Sequence, residues 1–357
     1  MGKRRRGRRR KWVTRLMTAT AGLLVLPAAG MAWWLEAPPY QGPAGPHFDG
    51  HLFSNLAPGE PRNYFALLQG LSQPPGDPWP EWHQPPAFPP PSPQQQALRV
   101  TYVNHATVLV QINDVNILTD PVYADRVSPI PGIGPLRHQP PGIAFEDLPR
   151  VHVVVISHSH YDHCDVPTIE RLVARDNPVL LVGLGNRTLL ERAGVPAQRV
   201  LPLDWWQNYR YGRVNITFAP AQHWSARSLG DRRRTLWGSY FIQGVTHSAY
   251  FAGDTGAGPH FSLVRKRLGT PDVALLPIGA YEPREFMRPH HMNPEDAVRA
   301  HQQLGAVHSV GIHWGTFKLS QEGFRQPARD LAVACQRHAV PLTQFRTLEN
   351  GDSFEPH

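Results

Sequence analysis

Within six positions the chain carries His158, His160, Asp162 and His163, in the spacing His-x-His-x-Asp-His. Ahead of this cluster, residues 151–156 form the β-branched run Val-His-Val-Val-Val-Ile, which predicts a buried strand. Behind it, Asp165 followed by Pro167 is a helix-start signal, an N-cap with a proline in the first turn. The cluster is therefore expected on the loop leaving the C-terminal end of a strand. Imidazole and carboxylate are good ligands for zinc and similar metals. One histidine in an exposed loop means little, but four ligand-type residues at this spacing, in a strand–loop–helix setting, point to a metal site.

The same reading extends along the chain. Residues 99–112 and 115–118 are apolar or alternating, with Asn113-Asp114 between them, and predict a hairpin that delivers Thr119-Asp120-Pro121 at a strand end. Further strands are expected at 179–182, 200–202, 214–219, 238–243, 248–252, 273–277 and 307–312, with helices at 167–175, 186–193 and 294–304. The last helix has Asn293 as its cap, Glu295 and Asp296 in its first turn and Gly305 after its end. Five of these strands end directly before a ligand-type residue: Asp120, His158, His223, Asp254 and His313. Strand ends along one sheet edge are close in space, so the five converge on one rim of sheets that carry helices outside.

The charge balance narrows the function. Of 36 Lys and Arg, nine lie before Leu16; the other 27 face 28 Asp and Glu, so the body has a net charge of −1. A near-neutral body without an evident basic aromatic channel speaks against a nucleic-acid phosphodiesterase, and no nucleic-acid partner is expected. The nine basic residues precede an uncharged stretch, 16–35, which is an export or membrane signal. It reads either as a cleaved signal peptide broken at Pro27 or as an uncleaved anchor with Trp33-Trp34 at the far interface. The odd mature N-terminus that cleavage would leave favours the anchor, with the body on the non-cytoplasmic side, periplasmic in a bacterium. Arg9-Arg10 also fits a twin-arginine route.

The chain thus divides into a basic N-terminus with its signal or anchor (1–36), a proline-rich, mostly irregular extension (37–97) and a catalytic body (98–357). Within the extension, 63–71 is expected as one short helix, and Trp79 and Trp82 predict that 77–83 docks on the body. The two cysteines, Cys164 and Cys335, make no disulfide framework, and Cys164 is expected as a packing residue beside the cluster.

Several longer motifs share a pattern: Asn104-His105-Ala106-Thr107, Leu118-Thr119-Asp120-Pro121, Gln222-His223-Trp224, Leu236-Trp237-Gly238-Ser239, Gly253-Asp254-Thr255-Gly256 and His313-Trp314-Gly315-Thr316. Together with the His-x-His-x-Asp-His cluster, with 277–284 and with Asp77-Pro78-Trp79-Pro80, they resemble the N-acyl-phosphatidylethanolamine-hydrolysing phospholipase D family of the metallo-β-lactamase superfamily. The resemblance runs from about residue 77 to 351 and leaves out the N-terminus. It implies an α/β fold, a four-layer αβ/βα sandwich, with two zinc ions per chain between the sheets. Carried over by position, His158, His160 and His223 would hold one zinc, Asp162, His163 and His313 the other, and Asp254 would bridge. Asp162, His163 and Asp254 would then be the catalytic groups. Two metals sharing a water lower its pKa and stabilise charge on phosphoryl oxygens, so no Ser or Cys nucleophile is required.

The resemblance associates Tyr161 and His291 with substrate. Asp120 is expected to hold a ligand imidazole in one tautomer, Trp224 and Trp314 to wall the pocket, and His105 to close a turn or buttress the site. The implied function is a zinc-dependent phosphodiesterase with phospholipase D regiochemistry acting on a membrane phospholipid, an N-acyl-phosphatidylethanolamine or a relative. The rival is a lactone or acyl-ester metallo-hydrolase on the same fold. The presence of all seven ligands speaks against a non-catalytic binding protein. A homodimer is compatible with this reading.

Overall fold

The computed structural model describes residues 36–356, apart from 59–62, 72–75, 94–95 and 131. The signal or anchor expected at 16–35 lies outside the described residues. Among those described, no helix is long and apolar enough to cross a membrane.

Strands β1 (Arg99–Asn104), β2 (Thr107–Ile112), β3 (Val115–Thr119), β4 (Val153–Ile156), β5 (Val179–Gly183), β6 (Val200–Leu203) and β14 (Ser353–Phe354) form one sheet, in the order β14-β1-β2-β3-β4-β5-β6. Strands β7 (Asn208–Tyr211), β8 (Val214–Ala219), β9 (Ser239–Gln243), β10 (Ser248–Phe251), β11 (Val273–Pro277), β12 (His308–Ile312) and β13 (Phe345–Thr347) form the other, in the order β13-β12-β11-β10-β9-β8-β7. β3 to β6 run parallel, as do β10 to β13. The helices are α1 (Tyr64–Leu71), α2 (Val166–Asp176), α3 (Asn186–Arg192), α4 (His260–Leu268), the single turn α5 (Arg284–Met287), α6 (Pro294–Leu304) and α7 (Gln326–Arg337).

The period-2 pattern of the strands builds the layers. Val153 and Val155 of β4 join Val273 and Leu275 of β11 and Phe218 of β8 in a core between the sheets. Their neighbours Val154 and Ile156 turn outward onto Ile169 and Leu172 of α2. Ala274 and Leu276 turn the other way onto Phe261 of α4, Val298 of α6 and Leu331 of α7. Helix, sheet, sheet, helix is the expected four-layer α/β sandwich.

Two expectations change. The hairpin at 99–118 is a three-strand meander, because the chain turns at His105, whose φ of 47° ends β1 and starts β2. His is among the residues that adopt that left-handed conformation more readily than most. The edge strands β7, β13 and β14 and the helices α4 and α7 were not anticipated. Short edge strands bury little and carry a weak apolar signal.

The proline-rich extension wraps the body. The Trp79 indole donates to the Glu322 carbonyl at 3.0 Å and its ring meets Phe324 edge-on at 5.3 Å, so Trp79 docks as expected, whereas Trp82 stays exposed. Phe218 is fully buried between the sheets. Phe218→Ala is expected to lower the unfolding free energy by about 3–5 kcal/mol, read by chemical denaturation.

Candidate metal centre

The loops leaving β3, β4, β8, β10 and β12 meet at one rim between the sheets. Asp120, His158, His163, His223, Asp254 and His313 are all buried there. Their close approach depends on Gly253, with φ 59°; a Cβ at that position would lie 2.5 Å from the Ser157 Cβ of the opposite sheet's loop.

Three imidazoles form one cluster. His158 Nε2 lies 2.7 Å and His223 Nε2 3.3 Å from His160 Nδ1. Their outer nitrogens assign the protons. The Ser157 hydroxyl donates to Asp120 Oδ2 at 2.5 Å, so its oxygen accepts from His158 Nδ1 at 2.9 Å. His223 Nδ1 donates to the His290 carbonyl at 2.9 Å. Both Nε2 atoms therefore present lone pairs to the same point. Burial, reinforced by the neighbouring imidazoles, holds His158 and His223 well below the usual histidine range. Burial likewise pushes His160 down to about 4. Neutral, convergent imidazoles suit a metal ion.

Beside them lies a second cluster of carboxylates and imidazoles. His163 Nε2 is 3.4 Å from Asp162 Oδ2 and 3.2 Å from Asp254 Oδ2. His313 Nε2 is 3.4 Å from Asp162 Oδ2 and 3.1 Å from Asp254 Oδ1. Ligands around a tetrahedral zinc stand roughly 3.3 Å apart, as its bond lengths of about 2.0–2.2 Å dictate. His163 Nε2, Asp254 Oδ1 and both ring nitrogens of His313 are buried without a hydrogen-bond partner. These orphaned atoms fit a cation. Asp254 Oδ2 is also 3.8 Å from His223 Nε2, so this carboxylate stands between the two clusters.

The electrostatics agree. Burial alone favours neutral His163 and His313, but Asp254 and Asp162 overcome it, raising His163 well above its usual range and His313 to about 9. Burial likewise opposes the charged forms of Asp162 and Asp254, and His163 foremost keeps both carboxyls ionised. Bound protons supply positive charge where a metal would sit. Asp120 accepts from His163 Nδ1 at 2.6 Å, leaving Nε2 for a metal.

Of the two residues associated with substrate, His291 is at the rim, its Nδ1 3.8 Å from Asp254 Oδ2. The Tyr161 hydroxyl instead donates to the Arg227 carbonyl at 3.0 Å, and its ring stacks under the Arg227 guanidinium at 3.9 Å. Trp224 stands edge-on to His160, as a pocket wall would. Trp314 differs from expectation: it is packed in the outer core behind the second sheet, its indole on the Gly311 carbonyl. Cys164 is buried and free, and packs against α2.

His105 buttresses the site, as expected from the sequence, whereas Arg227 and Asn55 support it without a sequence signal. His105 Nε2 sits 3.1 Å from Asp162 Oδ2, and its carbonyl accepts from the His313 N–H. Arg227 donates to the carbonyls of Ser159 and Cys164, both at 2.9 Å, tying together the two ends of the metal loop. Asn55, from the extension, brackets His223 through its backbone N–H and carbonyl. Only the proximity of Ser157 to the motif was a local signal; the other contacts join residues far apart in the chain.

Two outcomes follow from the shared carboxylate and the protonated histidines. Asp254→Asn is expected to lose most bound metal from both clusters, read by elemental analysis. In the metal-free protein the His313 proton is held below about pH 9 and lost above it. A metal must displace it, so affinity is expected to rise with pH from 7 towards 9, with proton release at pH 7 measurable by calorimetry in buffers of different ionisation enthalpy.

Residues 115–314 match the family model described as beta-lactamase superfamily domain. An uncharacterised protein of Mycobacterium tuberculosis is 42% identical over 261 residues, covering 71% of this chain and 69% of that protein. N-acyl-phosphatidylethanolamine-hydrolyzing phospholipase D 1 of Caenorhabditis elegans is 37% identical over 273 residues, covering 73% of this chain and 76% of the relative. Among solved structures, Igni18, a metallo hydrolase from Ignicoccus hospitalis, superposes with a TM-score of 0.54 at 20% identity over 72% of this chain and 99% of its own. The chain therefore belongs to the metallo-β-lactamase superfamily, in the family of N-acyl-phosphatidylethanolamine-hydrolysing phospholipases D, and is a hydrolase of that fold.

Proposed function

We propose that the protein is a zinc-dependent phosphodiesterase that cleaves N-acyl-phosphatidylethanolamine or a related glycerophospholipid with phospholipase D regiochemistry. The observation that carries this reading is the pair of ligand clusters joined by Asp254. The named activity of the Caenorhabditis elegans relative supplies the substrate class. We assign His158, His160 and His223 to one zinc, Asp162, His163 and His313 to the other, and Asp254 to both. Bound there, two zinc ions supply an activated water and positive charge for phosphoryl oxygens.

The chain's own groups do the rest. Asp120 holds the His163 proton on Nδ1, and Ser157 and the His290 carbonyl do the same for His158 and His223. Ring orientations are thereby set before substrate arrives. His291, at the rim beside Asp254, is placed to meet a phosphoryl or headgroup oxygen. Arg284 holds its position by donating to the His291 carbonyl at 2.9 Å, while itself paired with Asp296. Tyr161, its hydroxyl on the Arg227 carbonyl and its ring under the Arg227 guanidinium, helps hold the loop beside the site. A membrane substrate also agrees with the uncharged stretch at 16–35, which would keep the body on the non-cytoplasmic side of a membrane.

Hydrolysis of N-acyl-phosphatidylethanolamine in oxygen-18 water tests the bond that breaks. Label is expected in the phosphate of phosphatidic acid, with unlabelled N-acylethanolamine released. Label in a freed fatty acid would instead establish an acyl hydrolase. His291→Ala is expected to lower kcat at least tenfold while metal content stays at the wild-type level.

A further inference from the structure

Two loops on the metal-loop side of the molecule expose apolar side chains that the site does not use. In 126–136, Ile133 is 61% and Ile130 46% exposed, and in 226–234, Leu229 is fully exposed. The loops flank one cavity of about 270 Å3, lined by Ser128 and Pro129 from one and Arg227 from the other, with Tyr161 and Val166 beneath.

Both loops are tied by internal hydrogen bonds. In the first, Val127 N–H bonds the Pro135 carbonyl, Ile133 N–H bonds the Ile130 carbonyl, and Arg126 donates to the Gly134 carbonyl. Prolines at 129, 131 and 135 carry no N–H at all. In the second, buried Asp231 accepts from the N–H groups of Arg227 and Ser228. Few donors are left to lose hydration when such loops leave water. Of the five arginines in the two loops, Arg227 is buried and Arg234 pairs with Glu36, and Arg126, Arg232 and Arg233 remain as positive charge suited to an anionic surface.

The direction of the chain adds an independent constraint. The described residues begin at Glu36, directly after the uncharged stretch 16–35. Glu36 pairs with Arg234 at 2.6 Å, and its carbonyl accepts from Arg192. Ala37 N–H donates to Asp231 at 2.7 Å. A Cβ on Gly230, next to Leu229, would lie 2.9 Å from the Glu36 carboxylate. The described chain therefore starts packed against the loop that exposes Leu229.

We propose that this face is the lipid-contacting surface of the enzyme, with Leu229, Ile130 and Ile133 entering an anionic bilayer. The proposal rests on the lipid-hydrolase reading and deepens it. The face adjoins Tyr161 and, through Arg227, the two ends of the metal loop, so contact with lipid presents the metal loop's own side of the molecule to the membrane.

The test uses the full chain reconstituted in phosphatidylethanolamine–phosphatidylglycerol vesicles. An environment-sensitive fluorophore is attached at Leu229→Cys, at Ile133→Cys, or at Val245→Cys, an exposed position in the β9–β10 turn. Both native cysteines are buried. Emission at 229 and 133 is expected to shift to the blue and to be quenched by bilayer-embedded quenchers, with no change at 245. Equal water exposure at all three positions overturns the proposal. So does shielding of 229 that persists without lipid and depends on protein concentration, which would mark a contact between copies of the chain. The fluorescence needs no turnover, so it stands apart from failure of the lipid-hydrolase reading. As a second readout, the Leu229→Asp/Ile133→Asp double variant is expected to lose at least tenfold of its activity on vesicles while retaining kcat on a soluble short-chain substrate. An equal loss on both substrates overturns the proposal.

Discussion

Three carboxylates, Asp120, Asp162 and Asp254, are held out of bulk water between the ends of two sheets. Ionised groups are costly to bury unless opposite charge and hydrogen bonds meet them. Around these three, the fold supplies imidazoles and one hydroxyl, and leaves orphaned nitrogens on His163 and His313 directed at the same space. Positive charge is therefore a structural requirement of this rim as well as a catalytic one. Protons meet it partly, and a bound metal ion would meet it better because it satisfies several ligand atoms at once.

That requirement explains how the scaffold is spent. Parallel strands deliver residues at their C-terminal ends, and two sheets facing each other deliver them from opposite sides. The gap must stay narrow enough for Asp254 to stand between the two clusters. Glycine at 253 allows it, because any side chain there would strike Ser157, the residue whose hydroxyl links Asp120 to His158. One small residue thus couples the spacing of the sheets to the tautomers of the ligands.

The proline-rich extension belongs to the same construction. A segment short of N–H donors cannot join a sheet and attaches through particular side chains instead. Asn55 brackets His223, Trp79 seats itself beside Phe324, and Ala37 caps Asp231 in the loop that carries Arg227. Arg227 in turn ties the metal loop at Ser159 and Cys164. A continuous set of contacts thus joins the start of the described chain to the metal loop.

Much of the rim was legible in the sequence because its signals are local. A β-branched run followed by His158, His160, Asp162 and His163 marks a strand end with ligands, and the same strand-then-ligand order recurs at Asp120, His223, Asp254 and His313. Alternation marked most of the strands, and Asn293 with Gly305 bounded α6 correctly. What the sequence could not determine were relations between distant residues. The burial of Trp314, the capture of the Tyr161 hydroxyl by Arg227 and the hold of Asn55 on His223 each depend on neighbours brought up by the fold. Ligand identity is carried by residue type and spacing along the chain. The tautomer, charge and reach of each ligand depend on what packs against it, and only the tertiary structure decides that.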